Sequence, residues 1–221
     1  MRLKIYVALL FSITYSIVDA QIIVTTPYEF SVGVSGGTTF SSVAFSPRVT
    51  QKMLLGTTFG VTGRMEMGKN VGLQIELNYV RQGWDEEYID NPEFRYSRYL
   101  DYLQFPFYSR VQFGGENVKG FINAGPQIGY LLGESESRSL NVDPPANRTS
   151  AQRDMLVENK FEWGISGGAG IEIRSGIGYF ILEGRYYYSF GDIFRTRQKD
   201  TFSKASSQSI VAKVSYLIPI K

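Results

Sequence analysis

The chain has 221 residues, 43% hydrophobic and 14% aromatic, with 23 glycines and a formal charge of +2, a near-balance that gives no footing for nucleic acid. It has no histidine and no cysteine, which excludes Ser-His-Asp and Cys-His nucleophiles, the usual zinc sites, disulfides and lipid attachment through cysteine. Past residue 20 no apolar run reaches the roughly 18 positions of a membrane helix, so only a closed ring of strands, with every backbone group paired, could cross a bilayer.

In residues 1–20, Arg2 and Lys4 precede an apolar run from Ile5 to Val18, and Val18-Asp19-Ala20 offers small residues at the positions a signal peptidase reads. This predicts a cleaved secretory signal over 1–20 and a single domain over 21–221, with Gln21 the first mature residue. The interruptions at Ser12, Thr14 and Ser16 argue against a membrane anchor.

From there the apolar residues recur at every second position, the period of a strand. A first strand over Glu29–Gly37 sets Phe30, Val32 and Val34 against Ser31, Gly33 and Ser35, and a polar connection from Thr38 to Lys52 follows. A second, Leu55–Met67, sets Leu55, Phe59, Val61 and Met65 against Thr58, Thr62, Arg64 and Glu66. Gly68-Lys69-Asn70 turns into a third strand, where Leu73, Ile75, Leu77 and Tyr79 alternate with Gln74, Glu76 and Asn78.

A long connection, 83–98, leads to the clearest unit, a hairpin over Tyr99–Leu132. One arm carries Leu103, Phe105, Phe107, Val111 and Phe113 opposite Gln104, Tyr108, Arg110 and Gln112. The other carries Ile122, Ala124, Pro126, Ile128, Tyr130 and Leu132 opposite Asn123, Gly125, Gln127 and Gly129. Strands of soluble domains run about 5–6 residues, and these arms hold their pattern for about twice that. Ten tilted residues climb roughly 23 Å, the height of the apolar band around a membrane barrel.

The longest polar stretch, 133–159, contains Pro144-Pro145. Beyond it a sixth strand sets Phe161, Trp163, Ile165, Ala169, Ile171 and Ile173 against Glu162, Ser166, Glu172 and Arg174. After the short turn Ser175–Gly178, a seventh sets Phe180, Leu182, Tyr186, Tyr188 and Phe190 against Glu183, Arg185 and Ser189. A polar connection, 191–207, then leads to an eighth, with Ile210, Ala212, Val214 and Tyr216 opposite Lys213 and Ser215.

Eight strands with alternately long and short connections predict an all-β, eight-stranded antiparallel up-and-down transmembrane β-barrel, with both termini on the periplasmic side. Three features turn the apolar face toward lipid. It is nearly free of charge, broken only by Arg81 and Asp101 near one rim; a basic residue facing lipid at mid-depth costs about 2–4 kcal/mol. Its aromatic rings gather at strand ends, Tyr79, Tyr130, Phe161, Trp163, Tyr188 and Phe190 in one belt and Phe30, Phe113, Phe180 and Tyr216 in the other.

The polar face, rich in Gly, Ser, Thr and Asn, sets Arg64, Arg110, Arg174, Arg185 and Lys213 against Glu66, Glu76, Glu162, Glu172 and Glu183. Unpaired charge inside would cost several kcal/mol, so these ten are expected to pair across a lumen that eight strands leave just wide enough for side chains.

The stretches "YLQFPF" from Tyr102, "GFINAGPQIGYLLG" from Gly120 and "LQIELNYVRQG" from Leu73 resemble the outer-membrane β-barrel domain of PorT-like proteins over most of the mature chain. The resemblance implies an outer-membrane barrel of a Gram-negative bacterium, in a family of which some members assist protein secretion. One departure is the end, "YLIPIK", in which Tyr216 is the last aromatic where outer-membrane barrels often finish on one.

An enzyme would have to rest on carboxylate pairs such as Glu162 with Glu172 or Glu76 with Glu183; salt bridges filling the lumen explain them better. Gly164, Gly167, Gly168 and Gly170 lie in a strand pattern with no helix after it, which fits small residues making room for Arg and Tyr rather than a phosphate loop. Asp85, Glu86, Glu87 and Asp90 read as a solvated loop before a calcium site, and Asn147-Arg148-Thr149 as a chance glycosylation triplet. No cofactor or metal is implied. The expectation is a structural or interaction protein seated in outer-membrane lipid, meeting an envelope or secretion partner through 133–159 and 83–98; a narrow channel for ions or small solutes is the alternative.

Overall fold

The computed structural model describes residues 28–86, 94–138, 151–194 and 203–220. The proposed signal, Glu87, Asp90, Pro144-Pro145 and Asn147-Arg148-Thr149 lie outside them. The elements are β1 (Tyr28–Ser46), β2 (Gln51–Lys52), β3 (Leu54–Met67), β4 (Val71–Glu86), β5 (Tyr96–Gly114), β6 (Val118–Arg138), the single turn α1 (Ala151–Asp154), β7 (Phe161–Ser175), β8 (Gly178–Asp192) and β9 (Lys204–Ile220).

All strands but the two-residue β2 form one antiparallel ring in chain order. It is closed by β1 on β9, from Phe30 opposite Ile220 to Ser46 opposite Lys204. Closure pairs every strand on both sides, so the ring has no open edge along its paired length. β2 is an outlier, pairing Gln51 and Lys52 with the end of β4. Short turns join β3 to β4, β5 to β6 and β7 to β8 at one end, where the described chain also enters and leaves. Gly68 makes the first of these at φ 70°, a left-handed conformation that suits glycine. The long connections gather at the other end. These are called the turn end and the loop end below.

The faces are sorted by period two. Phe105, Ile75 and Leu182 are exposed on the outside, while Gln104, Glu76 and Glu183 are buried inside. The strands run further than the alternation foretells, chiefly at the loop end. β1 continues nine residues past Gly37 to Ser46, β4 past Gly83 to Glu86, β6 past Leu132 to Arg138, and β5 begins at Tyr96. The connections expected at 38–52, 83–98, 133–159 and 191–207 are therefore shorter than the sequence suggests.

The reason is an inversion of the pattern. In the upper part of β1 the inward residues are Val43 and Phe45, in β4 Val80 and Trp84, and in β5 Tyr96, Leu100 and Tyr102, all buried. Outward neighbours such as Ser46, Arg81, Asp85, Ser97 and Asp101 are polar. A strand that is apolar outside and polar inside lower down becomes the reverse above, and a reading that holds one face apolar stops at the change.

Candidate functional site

The interior divides into three layers. Nearest the turn end, Arg64 of β3 pairs with Glu172 of β7 across the ring, and with Glu66 at 3.1 Å. Arg110 of β5 shares Glu172. Arg174 bridges Glu172 at 2.7 Å and Glu66 at 2.5 Å. Arg110 also lies over the ring of Phe121, 3.5 Å from its centroid, and Gln112 donates to Glu66 at 2.9 Å.

At mid-height Glu76 of β4 accepts from Arg185 of β8 at 2.6 Å and from Lys213 of β9 at 2.7 Å. Arg185 also grips Glu183 on its own strand, Nη2 to Oε2 at 2.7 Å. Amides complete the shell: Asn78 donates to Glu76, Asn123 to Glu183 and Gln74 to Glu76. Tyr108 donates to Ser166 at 3.0 Å, its ring beneath Arg185. A cavity of about 20 Å³ lies among these side chains, room for about one water.

Glycines of β7 make this packing possible. A Cβ on Gly168 would stand 2.4 Å from the carbonyl oxygen of Gly184 and 2.7 Å from Cγ of Arg185, whose stem lies over it. The space is taken by the neighbouring strand's side chain.

Glu162 departs from the expectation that all ten charges pair. It is buried, and among the described residues its partners are amides: Gln104 donates at 2.9 Å and Gln82 at 3.2 Å. The cause is register. Arg185 lies opposite Gly168, six positions further along β7, so the cations occupy lower rungs.

The third layer is a stopper at the loop end. Trp84 packs edge-on to Phe45 at 5.4 Å and to Phe194 at 6.2 Å, in an apolar cluster with Val43, Tyr96, Leu100, Tyr102, Leu131, Val157 and Ile193. The segment around α1 is pinned onto it. Arg98 donates Nη1 to the carbonyls of Gln152, at 3.0 Å, and Met155, at 2.8 Å, and Nη2 to Glu134 at 2.6 Å. Arg153 and Gln152 hold Glu86, at 3.2 and 2.9 Å. Burial pushes the Tyr96 hydroxyl, above the rings of the outer belt, well above the usual tyrosine range.

The alternation predicts no such layer: it makes 83–98 a long connection and 191–207 a polar one. The signal available was Trp84 and Phe194 in otherwise polar stretches.

Outside, the aromatic residues stand where two bilayer interfaces would meet the wall. Tyr79 is opposite Phe59 and Leu103, Leu103 opposite Tyr130, and Tyr130 opposite Phe161. Trp163 contacts Phe190 at 5.2 Å, and Phe190 contacts Tyr188 at 6.0 Å. Toward the turn end Phe180 and Tyr216 meet at 5.0 Å, with Phe30 and Phe113 exposed at the same end. From Phe180 to Phe190 is ten residues, or roughly 23 Å along a tilted strand. Arg81 and Asp101, the two charges on the apolar face, neutralise one another in a bidentate pair of 2.8 and 3.0 Å.

A closed ring with charge sequestered inside and a ring-bordered apolar band outside is the solution that lipid demands of strands. Residues 20–195 match the family model described as outer membrane protein beta-barrel domain. The chain belongs to this family. As a member of it, the protein is an outer-membrane β-barrel, and the apolar band is its lipid-facing surface. Among curated proteins none matches the chain.

Among solved structures, OprG from Pseudomonas aeruginosa shares the fold with a TM-score of 0.51 and 10% identity, over 87% of this chain and 97% of that one. Ail, the attachment invasion locus protein of Yersinia pestis, is similar with a TM-score of 0.43 and 13% identity, over 86% and 99%. The outer membrane enzyme PagL gives a TM-score of 0.40 and 14% identity, over 86% and 99%.

Proposed function

We propose that this barrel is a closed, non-conducting scaffold that works through its loop end as an interaction protein of the envelope, accessory to secretion in the manner that the resemblance to PorT-like proteins implies. The observation that carries the reading is the continuity of the filling: two ion-pair layers and an apolar stopper occupy the interior from the turn end to the loop end. Among the described residues this filling leaves no continuous passage through the lumen, so activity is assigned to the loop-end surface.

The strands support this. β5 and β6 have 19 and 21 residues, roughly 45–50 Å of tilted height where the lipid band needs about 25 Å. The excess raises Glu134, Glu136 and Arg138 clear of the lipid. In this reading the turn end and both chain ends face the periplasm, as short turns do in barrels of this kind.

Single-channel recording in planar bilayers tests the closed lumen. No conductance steps are expected; discrete steps would select the narrow channel. A photo-crosslinking residue at Glu136 should trap a defined envelope partner in living cells, whereas one at Glu116 in the turn-end rim should not. Equal yields from both would contradict a loop-end role.

A further inference from the structure

We infer that the turn-end rim holds a site for a phosphate group, carried by a lipid headgroup of the adjoining leaflet or as the free anion. Between the β3–β4 turn and the β5–β6 turn lies a cavity of about 340 Å³ lined by Lys69, Asn70, Phe113, Glu116, Lys119 and Arg174, among others. It goes unused by the fold: its basic side chains exceed what the nearby carboxylates neutralise.

Lys119 makes no ion pair among the described residues; its ammonium donates to the Lys69 carbonyl at 3.3 Å. Arg174 spends Nε on Glu172 and Nη2 on Glu66, leaving Nη1 for another acceptor. Directly beneath, Arg64 and Arg110 share Glu172 and Glu66 with Arg174, so three guanidinium groups stand against two carboxylates. Glu116 is the one carboxylate on the wall of the cavity. Glu29, opposite Glu66 on the neighbouring strand β1, is engaged by the hydroxyl of Tyr179 at 2.5 Å, and the ring of that tyrosine lies against Arg174.

Donors converge on the cavity from the first turn, from the start of β6 and from the end of β7. An acceptor with oxygens on several sides, as a tetrahedral phosphate has, suits them better than a planar carboxylate. Phe113, exposed on the lipid side and part of the turn-end belt, forms one wall. A headgroup phosphate could enter with its chains against that ring.

The test uses the full chain purified from membranes. In nanodiscs of equal phosphatidylcholine and phosphatidylglycerol, native mass spectrometry after release should find phosphatidylglycerol retained in preference, with selectivity falling roughly fivefold for each lysine removed in K69Q and in K69Q/K119Q. K69Q/K119R should retain the selectivity of K69Q that K69Q/K119Q loses. In detergent, inorganic phosphate is titrated calorimetrically.

Lipid selectivity lost in the variants supports the site with a headgroup as its ligand. Binding of inorganic phosphate that the same variants lose, without lipid selectivity, supports the site with the free anion as its ligand. Absence of both, or equal binding by wild type and K69Q/K119Q, overturns it. Lys69 lies exposed in a turn, so K69Q tests the proposal even if the changes at Lys119 disturb folding.

Discussion

At the scale of single residues the interior makes two carboxylates that look alike in the sequence behave differently. Glu76 is shared by Arg185 and Lys213, so Glu76→Ala takes the ion-pair partner from buried Lys213 and leaves Arg185 to Glu183; among the described residues Glu162 meets only amides. Breaking a buried ion pair from one side costs about 3–5 kcal/mol. Glu76→Ala is therefore expected to lower the unfolding free energy read from urea titration of the barrel in micelles by that amount, and Glu162→Gln by less than about 1 kcal/mol, within the range of a neutral hydrogen bond. Equal losses would contradict the assignment of partners.

Gly168 gives a second contrast. Its open side carries the stem of Arg185 and the carbonyl of Gly184, so Gly168→Val should cost about 1–3 kcal/mol by overpacking. Gly184, which has nothing within 4 Å of an added Cβ, should accept alanine with little change in the same urea titration.

At the scale of elements, the portions of strand within the lipid band are legible because lipid outside and ions inside enforce a strict alternation. Leu77 beside Glu76, or Tyr186 beside Arg185, states its own side. Partners are less so. Which glutamate meets Arg64 depends on how β3 faces β7 across the closed ring, a relation no local pattern carries, and Glu162 was misjudged for that reason. The upper strands were illegible for another reason: above the lipid, water lies outside and the apolar cluster inside, so Val43, Trp84 and Leu100 occupy positions that the lower rule reserves for polar groups.

The stopper is thus a small soluble-type core on top of a membrane barrel, and it should yield separately. Trp84→Ala removes the ring packed edge-on against both Phe45 and Phe194, a change that costs about 3–5 kcal/mol in a packed core. Faster amide exchange is expected at Tyr96–Tyr102, with Leu73–Leu77 unchanged, because local openings follow such cooperative units. Uniform acceleration over the whole ring would show that the two cores are one.

For the whole molecule the account rests on a single sorting of side chains, and the protein carries its own two reporters of it. Its two tryptophans stand in opposite environments: Trp163 is 52% exposed in the outer aromatic belt and Trp84 is fully buried in the stopper. The measurement is fluorescence quenching by phospholipids brominated on the acyl chain, in variants that keep one tryptophan each, Trp84→Phe and Trp163→Phe. Strong quenching of Trp163 and almost none of Trp84 is the expected result; quenching of Trp84 with Trp163 protected would mean that the wall is turned the other way.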